Sequence, residues 1–429
     1  MNRREFLLGG AALGAGLALG RKVSAAASTA ANSRINVAVV GLNGLGSSTH
    51  LPSLIGSDEC QVVALCDVDS KVLARALEAA NKAYAEKNGT SSHQGISTHG
   101  DYRELLARDG IDALLIATPD HWHVPMTRAA VMAGKDVYVE KPLSLFVQEG
   151  RELADIVHRH KGIVQVGSQQ RSGLRFLIAQ DLVRSGALGE IRHIDVGIPT
   201  RGGSAEPWKA EPVPPELNYD MWLGPVPWLD YDSRRVHDNF RFVPEFSGGD
   251  ITNWGAHYLD TAQMLLGTDD TGPVAVRGSG QRNPAGAVHT CFFDIEVDFR
   301  YANGVTMRLF SGEGGVHVTG TKGSLYVNRG TLRTTPEDIL RNRSREVDAR
   351  LREEGGHREN WFACIRSRRA EDLRAPVEIG HRSATICHLA NIAIELGRPL
   401  QWDPAREIFV ADAHANALLN RPVRPEWAV

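Results

Sequence analysis

The sequence predicts a two-domain α/β protein, in which a doubly wound parallel sheet is followed by an α+β domain with an open, mostly antiparallel sheet. The chain has 429 residues, more than a single hydrophobic core usually serves. Up to residue 167, short β-branched runs alternate with helical segments, a rhythm typical of βαβ units. After residue 167, runs with period-2 alternation take over, which indicates antiparallel strands.

The first domain is predicted over residues 34–167, after a signal and linker at 1–33. Continuous apolar strands that alternate with helices are buried on both faces, so this sheet should be parallel and covered by helices on each side. The helical stretches include 71–87 and 126–133. The strands are expected at 35–40, 61–65, 113–117, 136–139 and 163–166.

The second domain is predicted over residues 168–400, and a polar tail, 401–429, should pack back on the fold. Ala302-Asn303-Gly304 lies between two alternating runs and is a hairpin signal. The stretch 200–247 is irregular and rich in Pro, Trp and Gly, and loops of this length are usually functional or linkers. Helices are expected at 174–185, 250–266 and 382–396, and strands at 191–198, 293–300, 305–310, 316–318 and 325–327.

The first residues have the features of an export signal. Arg3 and Arg4 precede an apolar, Gly/Ala-rich stretch at 6–19, and the small residues 25–27 supply a cleavage site. The pattern resembles the twin-arginine signature, so we expect the twin-arginine export machinery as a partner and a periplasmic or otherwise exported location. An uncleaved membrane anchor is the alternative, but the apolar stretch is short for a span, so no stable membrane insertion is expected.

Composition and charge exclude some classes of partner. The formal net charge is -3, so neither nucleic acid nor anionic lipid is an expected partner. The five cysteines are odd in number and form no CxxC pair, so no disulfide framework is predicted. The lack of a predicted disulfide framework is consistent with a protein that folds in the reducing cytoplasm before it is exported.

A glycine-rich turn follows the first predicted strand. In Gly41-Leu42-Asn43-Gly44-Leu45-Gly46, the glycines stand where a Rossmann domain places the pyrophosphate of a dinucleotide on a helix N-terminus. Glycine suits these positions because a Cβ would collide with the phosphates or with the strand. Asn43 replaces the middle glycine of GxGxxG, so a plain strand-to-helix turn is the alternative.

The second predicted strand ends at Asp67. An acidic residue at this point accepts hydrogen bonds from the ribose hydroxyls and repels a 2′-phosphate. NAD is therefore the expected cofactor, and NADP is less favoured. The alternative is that Asp67 only caps a turn together with Asp69.

Two further polar segments follow predicted strands, where doubly wound sheets bind their ligands. Thr118-Pro119-Asp120-His121-Trp122-His123 follows one strand and Glu140-Lys141-Pro142 the next. His121 and His123 have no recognisable third or fourth ligand nearby, so no metal is expected. Lys141, next to a positively charged nicotinamide, would be driven toward its neutral form and exchange a proton with a substrate hydroxyl. The alternative is a solvated surface lysine.

A third candidate group opens the predicted helix 250–266. Asn253 and His257 are four residues apart, so their side chains share one face, with Asp260 close behind. Histidine has the chemistry of an acid or a base near neutral pH. The alternative is a packed histidine whose ring is bonded to a neighbouring carbonyl.

Together these motifs resemble the Gfo/Idh/MocA family, named after glucose–fructose oxidoreductase, inositol dehydrogenase and rhizopine catabolism. The resemblance implies a Rossmann domain, a second domain that often mediates oligomers, and oxidation or reduction of a carbinol in a sugar, glycoside or cyclitol. A homo-oligomer, dimer or tetramer, is the expected assembly. The resemblance is carried by 41–46, Asp67, Thr118-Pro119, Glu140-Lys141-Pro142, 248–257, 357–367 and 378–383.

The resemblance also implies roles for individual residues. Lys141 would be the catalytic lysine and His257 its acid–base partner across the pocket, with Asn253 beside them. Trp222, in the irregular stretch, would stack on a sugar face or pack a subunit interface. The candidate substrate contacts are Arg171, which the resemblance implies, together with Asp260 and Trp222. The implied cofactor contacts are Gly41, Asn43, Gly44, Gly46, Asp67, Thr118, Pro119, His121, Trp122, His123, Glu140, Lys141 and Gln169.

One position departs from the family pattern, because dehydrogenases of the family commonly carry Asp where this chain has Asn253. An amide can orient His257 but cannot stabilise its imidazolium by charge, and the analogous swap in a serine-protease triad costs roughly 10⁴ in rate. Three functions stay open. The first is an oxidoreductase with a tightly bound cofactor. The second is an NAD-dependent glycoside hydrolase that uses transient oxidation, because the run 118–123 is similar to a stretch in such hydrolases, although these generally lack the lysine found here as Lys141. The third is a non-catalytic sugar-binding protein, which Asn253 favours.

Overall fold

The computed structural model describes residues 34–342, 349, 351 and 355–427. The expected signal and linker at 1–33 lie outside the described residues. Two sheets, each covered by helices, organise the described chain. None of the helices within these ranges has the length and apolar character that crossing a bilayer requires.

The first sheet, within the described residues, has six strands in the order β3-β2-β1-β4-β5-β6, all parallel. This is the strand order of a doubly wound dinucleotide-binding domain, so the predicted fold class is confirmed. The one strand of this sheet that the sequence did not predict is β3, whose residues Ser-Thr-His lack an apolar run. The strands are β1 Ile35–Val40, β2 Cys60–Cys66, β3 Ser97–His99, β4 Ala113–Ile116, β5 Asp136–Val139 and β6 Val164–Val166.

Helices cover both faces of this sheet. The longest, Ser70–Asn88, begins where the Asp69 carboxylate accepts the backbone N–H groups of Lys71 and Val72, and it ends at Gly89 in the left-handed conformation. A π-helical turn, Gly46–His50, leads from the glycine-rich loop into the first α-helix. The α-helices of this domain are Leu51–Gly56, Ser70–Asn88, Arg103–Leu106, His123–Met132 and Val147–His160, and short 3-10 turns lie at Asp120–Trp122 and Gln169–Ser172.

The second sheet, as far as the structure describes it, has nine strands in the order β13-β12-β11-β7-β10-β9-β8-β14-β15. Only β7 and β10 pair in parallel, which confirms a mostly antiparallel sheet. The predicted hairpin joins β9 and β10, with Gly304 at φ +87°. The strands are β7 Ile191–Ile198, β8 Ala275–Gln281, β9 Phe293–Arg300, β10 Thr306–Ser311, β11 Gly315–Gly320, β12 Ser324–Val327, β13 Leu332–Thr335, β14 Leu400–Asp403 and β15 Ile408–Phe409.

Helices pack on one face of the second sheet. The stretch predicted as one helix at 250–266 is two, because the backbone breaks at Trp254. Gly255–Leu266 and Val377–Leu396 supply most of the apolar side chains that bury this face. The α-helices described after residue 173, not all of which pack on this sheet, are Leu174–Arg184, Tyr219–Leu223, Asp250–Asn253, Gly255–Leu266, Asp338–Arg341, His357–Ser367, Val377–Leu396 and Ala413–Ala417, with 3-10 turns at His237–Phe242, Ala370–Asp372 and Pro425–Trp427.

The stretch around 357–377 crosses back to the first domain, although the predicted division assigned it to 168–400. Trp361 and Phe362 are buried in the same apolar cluster as β1. The Val166 N–H donates to the carbonyl of Ala375, which extends the first sheet at its β6 edge. Burial of two large aromatic side chains explains why this segment leaves its own domain.

The irregular segment 200–247 folds over the first domain rather than linking the two domains. It has an apolar cluster of its own that includes Tyr219, Trp222 and Phe246. Backbone hydrogen bonds tie it to the first domain at Ser70 and Val68. The tail also packs back on the fold, where the Trp427 ring contacts that of Trp122. Both segments therefore border the end of the first sheet where ligands are expected.

Candidate active site

The glycine-rich loop after β1 makes two backbone contacts that exclude a side chain. Gly41 has φ +84°, and a Cβ there would lie 2.7 Å from the backbone of Ala117 and Thr118. A Cβ on Gly46 would lie 1.9 Å from the carbonyl oxygen of Gly41. Gly44 also has a positive φ, of +59°. The turn is therefore built to bring backbone N–H groups close to a ligand, as a phosphate-binding turn requires.

Asp67 and Asp69 have separate tasks. The carboxylate of Asp67 accepts the N–H groups of Leu42, at 2.7 Å, and of Asp69, at 2.9 Å, while Asp69 caps the following helix. Burial raises the pKa of Asp67. Asp67 therefore faces the glycine turn rather than only capping a turn with Asp69, and it lines the cleft described next.

A narrow cleft, here called the nucleotide cleft, follows the ends of β1, β2 and β4. Residues of the segment 217–241 close it from the other side. Within the described chain, the buried hydroxyl of Thr118 has no hydrogen-bond partner, so the cleft offers it to a ligand. The predicted cofactor residues that line this cleft are Gly41, Asn43, Gly44, Asp67, Thr118, Pro119, Trp122, His123, Glu140 and Lys141.

These features fit a dinucleotide. The glycine turn suits the pyrophosphate, Asp67 a ribose diol, and Thr118 a further hydrogen bond. Gly46 supports the turn from behind without lining the cleft. The structure therefore holds the parts that a Rossmann domain needs for this cofactor.

His121 is not at the cleft, in contrast to the predicted cofactor contact. Its Nε2 donates to the carbonyl of Trp222 at 2.9 Å, and burial lowers its pKa to about 3. His123 lines the cleft, with ring nitrogens 2.6 and 2.9 Å from the carbonyl oxygens of Pro142 and Thr118. No group of three or more His, Cys, Asp or Glu residues in the described ranges is arranged to hold a metal ion.

Lys141 follows β5 and reaches across to the second domain. Its Nζ donates to the backbone carbonyl and to the side-chain Oδ1 of Asn253, both at 3.0 Å. Burial lowers the pKa of Lys141, and the charges of Arg241 and Arg329 lower it further, while Glu140 and Asp120 act in the opposite direction. Lys141 is therefore not a solvated surface lysine, because it is held by two acceptors and shifted toward its neutral form.

His257 shares a wide cleft with Lys141, here called the substrate cleft, whose volume is about 1290 Å³. The Nδ1 of His257 is buried and has no hydrogen-bond partner in the described structure. Burial lowers the pKa of His257, and the charges of Lys141 and Arg329 act in the same direction. A neutral imidazole with a free nitrogen beside a lysine amine can pass a proton to or from a bound hydroxyl.

Glu140 is fixed at the junction of the two clefts, which it lines together with Lys141 and Asn253. Its carboxylate accepts from His50 Nε2 at 3.0 Å and from Gln169 Nε2 at 2.9 Å. Burial alone would raise the pKa of Glu140, but the hydrogen bond and charge of His50, with the charges of Lys141 and His257, lower it to about 2. Glu140 is therefore a permanent anion beside the two candidate acid–base groups.

Three predicted substrate contacts lie elsewhere. Arg171 and Asp260 are both buried and pair with each other at 2.8 Å, and Asp269 also binds the guanidinium. Neither lines a cleft, because the opposite charges satisfy each other inside the second domain. Trp222 packs edge-on against Phe246, 4.8 Å between ring centroids, and borders the nucleotide cleft rather than the substrate cleft.

The amide of Asn253 contacts Lys141 and not His257, contrary to the expectation from their spacing. Its Nδ2 donates to Asp250 at 3.3 Å, which sets the orientation that presents Oδ1 to the lysine. Both oxygens of Asn253 accept from Lys141 and its Nδ2 donates to Asp250, so the amide has no contact left for His257. Asn253 is thus a positioning residue for Lys141.

Several residues of the substrate cleft had no signal in the sequence. Trp254 lines it from the helix break, and His50 comes from the π-helical turn of the first domain. Three arginines from separate segments of the chain also line the substrate cleft, namely Arg175, Arg329 and Arg358. No local spacing connects them, so only the tertiary fold brings them together.

The sequence matches two family models that account for both domains. Residues 35–168 match the NAD-binding Rossmann fold of the Gfo/Idh/MocA oxidoreductases, and residues 201–429 match the C-terminal alpha/beta domain of that family. The chain belongs to the Gfo/Idh/MocA oxidoreductase family. This confirms the resemblance seen in the motifs, and it confirms that the first domain has the NAD-binding Rossmann fold of the family.

One curated relative matches the chain over a shorter stretch. A glycosyl hydrolase family 109 protein of Shewanella sp. (strain ANA-3) is 34% identical over 162 residues, which cover 37% of this chain and 34% of the relative. This chain thus spans about a third of that curated relative.

Two solved structures have a similar fold. The aldose-aldose oxidoreductase of Caulobacter crescentus has a TM-score of 0.61 at 18% identity, over 86% of this chain and 99% of that one. The WlbA dehydrogenase of Bordetella pertussis, in complex with NADH and UDP-GlcNAcA, has a TM-score of 0.62 at 18% identity, over 86% and 99%. At 18% sequence identity, the comparison shows only that the folds are similar.

Proposed function

We propose that this family member oxidises or reduces a carbinol of a sugar, glycoside or cyclitol with a dinucleotide that stays bound. The observation that carries the proposal is the meeting of Lys141 and His257 in one cleft that is continuous with the glycine turn. The two residues come from different domains. The names of the two solved neighbours, an aldose oxidoreductase and a dehydrogenase, support a sugar-related substrate.

The chain's own residues would manage the proton. When bound, the nicotinamide supplies or accepts a hydride. Lys141, shifted toward its neutral form by burial, takes the proton of the substrate hydroxyl and returns it in the opposite direction. The free Nδ1 of His257 holds the same hydroxyl or relays its proton. Asn253 keeps the lysine amine aimed into the cleft.

We further propose that NAD is preferred over NADP, because the buried carboxylate of Asp67 stands beside the glycine turn and would repel a 2′-phosphate. The proposed export by the twin-arginine route, to the periplasm or beyond, adds a constraint. No free dinucleotide would be available there, so the cofactor must dissociate slowly. Turnover would then be redox-neutral, with one sugar oxidised and a second carbonyl reduced, in a homo-oligomer of two or four chains.

Purification without added NAD tests this proposal. We expect dinucleotide in the denatured supernatant by mass spectrometry, and a sugar-dependent absorbance band of reduced nicotinamide in the native protein. A protein that retains no dinucleotide would contradict slow dissociation. A loaded protein whose nicotinamide no sugar reduces would contradict catalysis and favour a sugar-binding role.

Glycoside hydrolysis through transient oxidation is the second candidate. It is favoured by the 34% identity to a glycosyl hydrolase family 109 protein over 162 residues. The same lysine and histidine would remove a proton next to the oxidised carbon and so assist departure of the aglycone. Nitrophenyl glycosides, assayed with loaded and with dinucleotide-stripped protein, separate the candidates. Cofactor-dependent release of nitrophenol identifies the hydrolase, and nicotinamide reduction without release identifies the dehydrogenase.

A further inference from the structure

The substrate cleft carries an excess of positive charge. Two carboxylates line it, Glu140 and Asp238, while the chain as a whole has a formal net charge of -3. The positive cleft is therefore a local feature and not part of a generally basic surface. The cationic side chains that line the cleft are Lys141, Arg175, Arg201, Arg241, Arg329 and Arg358.

Protein carboxylates neutralise only part of this charge. Arg201 pairs with Asp250 at 3.1 Å and Arg241 pairs with Asp238 at 3.2 Å. Glu140 is bound by His50 and Gln169.

Three arginines stay without such a partner. In the described part of the chain, Arg175, Arg329 and Arg358 have no carboxylate within ion-pair distance. The Nη1 of Arg175 donates only to the backbone carbonyl of Arg329, at 3.3 Å. No described carboxylate thus neutralises these three guanidinium groups, which match the geometry of an anionic ligand.

The cofactor does not account for these three arginines. Arg241 lines both clefts, but Arg175, Arg329 and Arg358 line only the substrate cleft. An anion on these three arginines would therefore belong to the molecule that occupies the substrate cleft.

Trp254 supports one of these arginines inside the cleft. The guanidinium of Arg329 stacks on the ring of Trp254, 5.4 Å from its centroid, and Trp254 lines the cleft. The Tyr258 ring also stacks with this indole, at 6.5 Å between centroids. The charge of Arg329 acts on both Lys141 and His257, so an anionic substituent held there stays within electrostatic range of the acid–base pair.

We infer that the substrate is an anionic carbohydrate, whose carboxylate, phosphate or sulfate group is bound by Arg329, Arg358 and Arg175. The inference rests on the proposed function and narrows its substrate class. Carboxylate and phosphate both match the planar fork of a guanidinium, so the experiment has to distinguish these sources.

Calorimetric titration of the purified, cofactor-loaded protein tests the inference without depending on catalysis. The probes are glucose, galactose and mannose, each compared with its uronic acid, its 6-phosphate and its 6-sulfate. We expect at least one anionic form to bind roughly tenfold or more tightly than its neutral parent, with an affinity that falls as salt rises. The derivative that binds most tightly, whether uronic acid, 6-phosphate or 6-sulfate, identifies the anionic group.

Substitution of single arginines tests which of them bind the anionic group. Arg329→Gln and Arg358→Gln should each weaken the anionic ligand by roughly tenfold to a hundredfold and leave the neutral sugar unchanged. Arg192→Gln, on an exposed strand residue paired with Glu190, is the control and should change neither. Gel filtration of each variant checks that the arginines do not serve a subunit interface.

The outcomes separate this inference from the proposed function. Equal affinity for neutral and anionic members of every series, or loss of assembly without loss of anion preference in Arg329→Gln, overturns the inference. Reduction of the bound nicotinamide by neutral sugars alone keeps the proposed function and rejects the anionic substrate. Anion-selective binding without nicotinamide reduction by any probe keeps the anion site and rejects the oxidoreductase.

Discussion

The Nζ of Lys141 lies 3.0 Å from both oxygens of Asn253, one on the backbone and one on the side chain. A lysine at the end of a strand in one domain is thus held by a residue at a helix break in the other. Because both acceptors are neutral, they orient the amine without adding the negative charge that would stabilise its ammonium form. The amide at this position therefore favours a lysine that accepts a proton.

Asn253→Asp tests this relationship. A carboxylate at Oδ1 would stabilise the ammonium form, so the pKa of Lys141 should rise and the ascending limb of the pH profile for substrate oxidation should move to higher pH. Activity at neutral pH should fall and recover at alkaline pH. The pH dependence of nicotinamide reduction in a single turnover measures the shift. An unchanged profile, with Asn253→Ala also unchanged, would show that the contact does not tune the lysine.

Lys141→Met removes the amine and keeps an unbranched side chain. We expect the oxidation rate to fall at least about 100-fold, the usual contribution of a positioned acid–base group. The dinucleotide should stay bound, because the glycine turn and Asp67 are untouched. Single-turnover absorbance and mass spectrometry of the denatured supernatant measure the two properties. Lys209→Met, at an exposed lysine, is the matched control. Equal rates in both variants would exclude Lys141 as the proton carrier.

Most of the fold could be predicted from the sequence because buried strands carry continuous or alternating apolar runs. Five strands of the described chain were not predicted. β3, β13, β14 and β15 have only two to four residues, which is too short for a period to show. β8 has seven residues, but its sequence AVRGSGQ contains two glycines and lacks an apolar alternation. The return of Trp361 to the first domain also escaped prediction, because an apolar helix face does not indicate which sheet buries it.

Site residues such as Gly41 and Lys141 could be predicted because each belongs to a short motif within one segment of the chain. Contacts between residues that are far apart in the sequence could not be predicted. The pairing of Arg171 with Asp260 turns two candidate substrate contacts into buried structural ones. Arg329, on the loop that follows β12, has no sequence neighbour in the cleft. Contacts of this kind depend on the arrangement of the two domains and leave no periodic pattern.

Asp67→Ser should change the choice of cofactor. Loss of the carboxylate removes the repulsion of a 2′-phosphate, so the ratio of NADP to NAD affinity should rise, and purified protein should retain less NAD. Titration of stripped protein with each dinucleotide gives the ratio. Asp412→Ala is the matched control, since it removes a helix cap that does not line the nucleotide cleft and should lower stability without altering that ratio. A rise in both variants would assign the effect to a general loss of stability.

Gly41→Ala should destabilise the protein and prevent dinucleotide binding. The new Cβ would lie 2.7 Å from the backbone of Ala117 and would also strain a residue at φ +84°. Gly89→Ala is the control, because Gly89 has φ +65° but open space around it, and it should lose only about 1 to 2 kcal/mol. Thermal unfolding and dinucleotide content separate the two. Equal losses would mean that the close approach at Gly41 does not matter.

Buried histidines should make the protein sensitive to mild acid. Burial lowers the pKa of His121 to about 3 and the pKa values of His357 and His388 to about 4, against a usual value of 6.5. Below pH 6.5 the unfolded chain binds protons that the folded chain does not, so stability present above that pH is lost as the pH falls toward 4. A single histidine of this kind contributes about 3 kcal/mol to the loss.

Denaturant unfolding between pH 7 and 4 measures this slope. His388→Gln should flatten it, because the amide can still donate to the carbonyl of Ser144, which His388 Nε2 contacts at 3.0 Å, yet does not titrate. His414→Gln, at an exposed position, should leave the slope unchanged. If the unfolding free energy of His388→Gln depends on pH as steeply as that of the unmodified protein, the ring of His388 takes up its proton in the folded state, and the prediction is wrong. The chain is proposed to work outside the cytoplasm, where the pH can vary. The dependence of its unfolding free energy on pH therefore determines how acidic the surroundings can become before it unfolds.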